Sequence, residues 1–338
     1  MPAAKPRTES RRPTRADAAA QILAISNQKG GEGKTTTAVN LAASLAAAEH
    51  RVLLIDMDPQ GNASSSVGYP RGVAQHGGSY DLLLGDAELG EVVHKTELDK
   101  LDVVPASADL AGAEIELVAV EGRETVLARA LARAREAKQF PWEWVVLDCP
   151  PSLGILTLNA LVAATSVLIP MQARYFSLEG LGALVGTIDR IKVALNPGLS
   201  IEGIVFCMFD RRTNLAQQVV TEVEKHFPGR VYTTMIPQNI RLSESPSFGK
   251  PALLYDIESK GAQAYLELTK EMLERQRERA EAAAAASKPA KPASAEAKPA
   301  EAKPAEAKPA EAKPAEAKPE PASEAEAAKP DKPKRGKR

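Results

Sequence analysis

Aromatic residues are scarce in this 338-residue sequence, at 4%, and cysteine is limited to Cys149 and Cys207. Two cysteines so far apart form neither a disulfide framework nor a zinc-binding spacing, which excludes small stapled domains and points to a reducing compartment. No run of about 18 apolar residues occurs, so no membrane-spanning helix is expected. The basic N-terminus lacks the apolar stretch of a secretory leader, and a soluble, cytoplasmic chain is the expectation. Net charge is also lacking, at a formal −1. That balance hides an asymmetry. Residues 1–20 carry five basic and two acidic side chains and residues 288–338 thirteen and nine, which leaves about −8 on residues 21–287. Nucleic-acid binding by the central region would need a local basic patch, or else the tails.

What is present is an alternation. Short apolar runs at 22–26, 52–56, 101–105, 144–148, 166–170, 201–208 and 231–236 read as strands. Between and after them, helix-length segments fall at 36–48, 109–119, 124–137, 155–164, 178–194, 214–226 and 259–276. This pattern predicts an α/β fold, a single domain over residues 21–281 with a mostly parallel sheet covered by helices on both faces. Residues 1–20, polar and charged with early prolines, read as a disordered basic arm. Residues 282–338 read as a disordered Ala/Lys/Pro/Glu tail: Glu-Ala-Lys-Pro-Ala recurs from Glu296 to Lys318, and a proline at every fifth position interrupts any helix. The tail ends in a basic cluster, Lys332 to Arg338. That cluster suits phosphate contact, and a purely solubilising tail fits equally well.

The most informative segment is Lys29-Gly30-Gly31-Glu32-Gly33-Lys34-Thr35-Thr36, between the apolar run Ile22–Ile25 and an Ala/Leu-rich stretch. Strand, glycine loop and helix in that order cradle phosphate: glycines let backbone N–H groups curl around the oxygens, and the helix N-terminus adds positive potential. Lys34 would reach the outer phosphates and the Thr35 hydroxyl would ligate Mg²⁺. The strict Walker A pattern needs a glycine where this chain has Gln28, and a second lysine, Lys29, heads the loop instead. Two apolar strands then end in carboxylates. Asp56 and Asp58 follow Leu53-Leu54-Ile55, one suited to a Mg²⁺ shell and the other to orienting a water. Asp148 follows Val145-Val146-Leu147 in the manner of Walker B, ahead of Pro150 and Pro151.

Together these segments resemble the ParA/Soj partition ATPases, the deviant-Walker-A group of P-loop proteins. The likeness rests on Gln28–Thr37, Asp56–Asn62 and Leu147–Ser152, with later matches at Gln217-Gln218-Val219, Ile236-Pro237 and Ile240–Pro251. It covers about residues 21–275 and leaves both tails outside.

The resemblance implies ATP and Mg²⁺ as cofactors and a nucleotide-sandwich homodimer in the ATP-bound state. It gives Lys29 the partner's phosphates, Lys34 the β/γ-phosphates, Thr35 the metal and Thr36 the α-phosphate, within the loop of Gly30, Gly31 and Gly33. Asp58 would position the hydrolytic water, Asp148 would support the metal, and Met208, Pro237 and Asn239 would meet the base. It further implies non-specific DNA binding through Arg212, Arg241 and Lys250, slow hydrolysis stimulated by a ParB-type centromere-binding protein, and a nucleoid-associated location in the cytoplasm serving chromosome or plasmid segregation. Glu32 departs from the family, which usually has a small or apolar residue there; its carboxylate is expected at the dimer interface, with nucleotide binding unimpaired. A MinD-like protein-positioning ATPase is the alternative, but it should end in an amphipathic helix, whereas Met272–Arg279 is highly charged. A metabolic P-loop enzyme is the other: an iron-protein relative would need cysteines at the dimer axis, a pattern that Cys149 and Cys207 lack, and a dethiobiotin-synthetase-like enzyme would not be expected to carry Ile240–Pro251.

Overall fold

The computed structural model describes residues 20–70 and 77–286. The N-terminal arm before Ala20 and the repeat tail from Ser287 onward, with its Lys332–Arg338 cluster, lie outside the described residues. Among the described residues seven strands form one sheet: β1 (Gln21–Ile25), β2 (Val52–Asp56), β3 (His94–Lys95), β4 (Leu101–Val104), β5 (Trp144–Asp148), β6 (Ser166–Gln172) and β7 (Ser200–Cys207). Their spatial order is β3-β4-β2-β5-β1-β6-β7, and every pairing is parallel except that of the edge strand β3 with β4. Central strands such as β2 and β5 are buried at all positions, which is why they read as unbroken apolar runs.

Helices α1 (Lys34–Ala47), α2 (Asn62–Ser66), α3 (Ser79–Leu84), α4 (Leu89–Val92), α5 (Leu110–Glu116) and α6 (Val126–Glu136) precede β5. After it come α7 (Ile155–Ala163), α8 (Tyr175–Ala194), α9 (Asn214–His226), α10 (Ile240–Glu244), α11 (Ala252–Tyr255) and α12 (Lys260–Ala286). Two cores result, one on each face, and β1 feeds both by alternation. Ile22 and Ala24 pack with α6, α7 and α8, whereas Leu23 and Ile25 pack with α1 and α12. Alanine and serine along α1 let it lie close under α12, and eleven of its residues are buried.

Two expectations change. Residues 231–236 form no strand: Val231 makes an isolated bridge with Ile204, and the next residue after the segment, Pro237, makes one with Phe209. The N–H groups of Thr233 and Thr234 donate to the Glu271 carboxylate, each at 2.9 Å, and so are unavailable to a sheet ladder. The last helix also continues to Ala286, beyond the expected end at 276. Along that extension Arg279 donates to both carboxylate oxygens of Glu202 near the start of β7, at 3.0 and 2.9 Å. The other end of the described chain lies at the same side of the sheet, where the Ala20 carbonyl precedes β1.

Candidate active site

Parallel register lines up the carboxyl ends of three neighbouring strands. Asp148 of β5 pairs with Ile25 of β1 on one side and with Asp56 of β2 on the other. The glycine loop leaves β1 there, beside the point where the strand order reverses. Gly33 is the residue that turns the loop into α1, with φ +92°. A Cβ there would lie 3.1 Å from Cys207 Cβ and 3.2 Å from its Sγ, so both conformation and space demand glycine. Gly33→Ala should cost about 2 kcal/mol of stability, from left-handed strain and overpacking. Gly30→Ala, whose Cβ meets nothing within 4 Å, should be close to neutral. Denaturant midpoints of the two variants check the contrast.

Lys34 begins α1, is 6% exposed and donates from Nζ to the Lys29 carbonyl at 3.0 Å. Burial lowers its pKa, opposed by the charges of Asp148 and Asp58. Thr35 and Thr36 follow in the first turn, half-buried. Asp148 is fully buried, and among the described residues neither of its oxygens has a hydrogen-bond partner. Burial and then the neighbouring Asp56 push its pKa well above the carboxylate range; the Thr35 hydroxyl, near enough to oppose this, falls short of hydrogen-bonding geometry. An unpartnered buried carboxylate beside a hydroxyl supplies oxygen donors of the kind that a hard divalent cation accepts, because Mg²⁺ takes its other oxygens from phosphate and water. The residues fit the metal.

Asp56 behaves differently from the expected metal ligand. Its Oδ2 accepts from Ser64 N at 2.8 Å and Ser64 Oγ at 2.6 Å, and its Oδ1 from Asp58 N at 3.1 Å. Both oxygens are committed to the turn between β2 and α2, and burial holds the group up at about 6. Asp58 sits on that turn, 8% exposed, accepting from Gln60 N at 3.0 Å. Ser64, which fixes Asp56 and so the start of that turn, gave no signal in the sequence.

Beside the loop, Gly33, Thr36, Met208, Pro237, Asn239 and Tyr265 line a cavity of about 300 Å³. The expected base contacts are thus gathered next to Thr36. Met208 takes φ +51°, an uncommon conformation for a non-glycine residue, and is 43% exposed. Asn239 caps α10 by accepting from Leu242 N at 3.4 Å. The three expected DNA contacts all carry acidic partners. Arg212 chelates Asp210 at 3.0 and 2.9 Å, Arg241 pairs with Glu244 at 2.9 Å and Asp256 at 3.1 Å, and Lys250 pairs with Glu97 at 3.0 Å.

Glu32 is not at an exposed interface position. It is 1% exposed, accepting from Gln172 N and, at 3.2 Å, from Ser177 Oγ, with Lys29 Nζ 3.3 Å away. A carboxylate turned inward onto three donors avoids both solvent and the phosphate-binding face of the loop.

The model of the AAA domain family matches residues 20–201. Over 255 residues the chain is 55% identical to the chromosome partitioning protein ParA of Myxococcus xanthus, covering 75% of this chain and 88% of that one. The chain belongs to the ParA/Soj family. Within that family it is also 51% identical to the sporulation initiation inhibitor protein Soj of Bacillus subtilis, over 75% of this chain and 98% of Soj. Among solved structures, cobyrinic acid a,c-diamide synthase from Mycobacterium smegmatis, bound to ADP and magnesium, superposes with a TM-score of 0.66. It is 35% identical and covers 77% of this chain and 96% of its own. This ParA/Soj-family chain is thus a P-loop ATPase by descent. Among its described residues no helix is long and apolar enough to cross a membrane.

Proposed function

We propose that this protein is a chromosome- or plasmid-partition ATPase that dimerises on ATP, coats DNA without sequence preference while dimeric, and is released when a ParB-type partner stimulates slow hydrolysis. Such a cycle belongs in the cytoplasm, on the nucleoid. The observation that carries this reading is the division of labour between two lysines. Lys34 is buried in the loop, whereas the Lys29 side chain is 44% exposed at its head, which supports a role for Lys29 towards a second protomer. Relatives of 46–55% identity named for chromosome partitioning support the same reading over a metabolic role.

The residues act by positioning and charge. Lys34 and the N–H groups at the start of α1 bind the phosphates, and Lys29 adds charge from the partner subunit. Bound Mg²⁺ would neutralise phosphate charge, held by Thr35 and Asp148. Asp58 orients a water, and Asp56 keeps Asp58 in place rather than entering the metal shell. Met208, Pro237 and Asn239 hold the base.

Arg212, Arg241 and Lys250 would contact DNA phosphates by exchanging their carboxylate partners for phosphate oxygens, giving affinity without sequence preference. Duplex binding at fixed salt with ATPγS-Mg²⁺, ADP-Mg²⁺ or no nucleotide tests this. Binding only with the triphosphate is expected. Arg241→Glu should weaken it about tenfold or more and make the salt dependence shallower. Equal binding in all three states would overturn the nucleotide switch.

A further inference from the structure

Glu32 sits where a side chain serves no need of the glycine loop itself, and it is buried. Donors offset the cost of burying a charged carboxylate, and the three polar groups around Glu32 come from separate places. Gln172 N closes the end of β6, Ser177 Oγ lies in the first turn of α8, and Lys29 Nζ heads the loop. The loop is tied to the same strand end a second time, since Gln172 Nε2 donates to the Gly31 carbonyl at 2.7 Å. Of the three donors only Lys29 is free to leave, because the other two are fixed by β6 and α8.

We propose that Glu32 is a positioning residue that latches Lys29 against its own protomer, so that release of Lys29 is a step the ATP-bound dimer must drive. This rests on the reading that Lys29 serves the partner's phosphates. When Lys29 leaves, the carboxylate retains two neutral donors, Gln172 N–H and the Ser177 hydroxyl. The quality of those two contacts therefore sets how readily the lysine is given up.

The geometry makes predictions of opposite sign for two variants. Glu32→Gln keeps an acceptor for Gln172 N and a polar group for Ser177, but removes the charge that holds Lys29. It should lower the protein concentration for ATPγS-dependent dimerisation about tenfold, the scale of one charge-assisted contact. Ser177→Ala leaves the ion pair and removes a compensating donor, so the latch tightens and dimerisation should weaken. A role limited to bracing the loop would move both variants in the same direction.

The experiment uses the full chain. Sedimentation with ATPγS-Mg²⁺ is paired with amine-reactive labelling of Lys29 in the nucleotide-free protein, read by mass spectrometry. Faster Lys29 labelling in Glu32→Gln and slower labelling in Ser177→Ala support the latch. Unchanged labelling in both overturns it. A wild-type protein that stays monomeric with ATPγS would instead overturn the dimer reading, and labelling would still decide the latch. Should Glu32→Gln fold poorly, Ser177→Ala alone decides: labelling unchanged or faster overturns the proposal.

Discussion

Lys34→Met should reduce ATP hydrolysis by about a thousandfold, the scale of losing one preorganised charge aimed at a transferring phosphoryl group. Methionine fills the volume of the lysine stem, so the packing of the first turn of α1 is largely retained and the ammonium alone is lost. Lys34 is 6% exposed, and its ammonium is anchored at 3.0 Å to the Lys29 carbonyl in the field of Asp148 and Asp58. Its orientation is set before any nucleotide arrives, which is the condition for a large catalytic effect. Phosphate release at saturating nucleotide is the measurement, with a melting curve to confirm folding. A variant retaining more than about a tenth of the wild-type rate would remove Lys34 from the role that preorganised charge implies.

Asp148→Asn is expected to push stability and activity in opposite directions. In the nucleotide-free protein both Asp148 oxygens are buried without a partner among the described residues, and the negative form suffers from burial and from Asp56 alongside. An amide of the same shape escapes the charge penalty, so the nucleotide-free protein should gain about 2 kcal/mol. Hydrolysis with Mg²⁺ should fall about a hundredfold, because the amide is a poorer oxygen ligand for a hard cation.

The sign of the pH dependence follows from the same burial. Asp56, raised from 3.8 to about 6, and Asp148, raised further, each bind a proton more tightly in the folded than in the unfolded chain. Folded protein therefore holds excess protons above the unfolded value, and stability is lost as pH rises through 3.8 toward 6 and beyond. Asp148→Asn should flatten that decline, so the two melting temperatures should converge near pH 4 and draw apart as pH rises from there. A gap that does not widen with pH would mean that Asp148 is not a strained charge.

The parts of this site that were legible in the sequence are local. An apolar strand ending in a glycine loop, or in an aspartate, announces both the element and the chemistry at its end, as Ile22–Ile25, Leu53–Asp56 and Val145–Asp148 do. Parallel order then places those ends together, and the register of Asp56 with Asp148 comes from the structure alone. What stayed hidden is non-local or too short. Gln172 N and Ser177 Oγ, which hydrogen-bond Glu32, lie 140 and 145 residues away along the chain, so no window around the loop indicates that its carboxylate turns inward. Ser64 captures Asp56 through a five-residue helix, too brief to leave a periodicity. Residues 231–236 have strand composition, but Glu271 of α12 takes two of their N–H groups, a competition visible only in three dimensions.

The placement of Ala20 and of the late turns of α12 has a practical consequence. Ala20 precedes β1, and the late turns of α12 fasten through Arg279 to Glu202, both at the amino ends of the strands, whereas the phosphate loop opens at the carboxyl ends. A fluorescent reporter or a surface anchor attached beside Ala20 or on the late turns of α12 is therefore at the opposite end of the strands from the nucleotide mouth. Immobilised on a sensor at either of these positions, the protein should still present that mouth to solution.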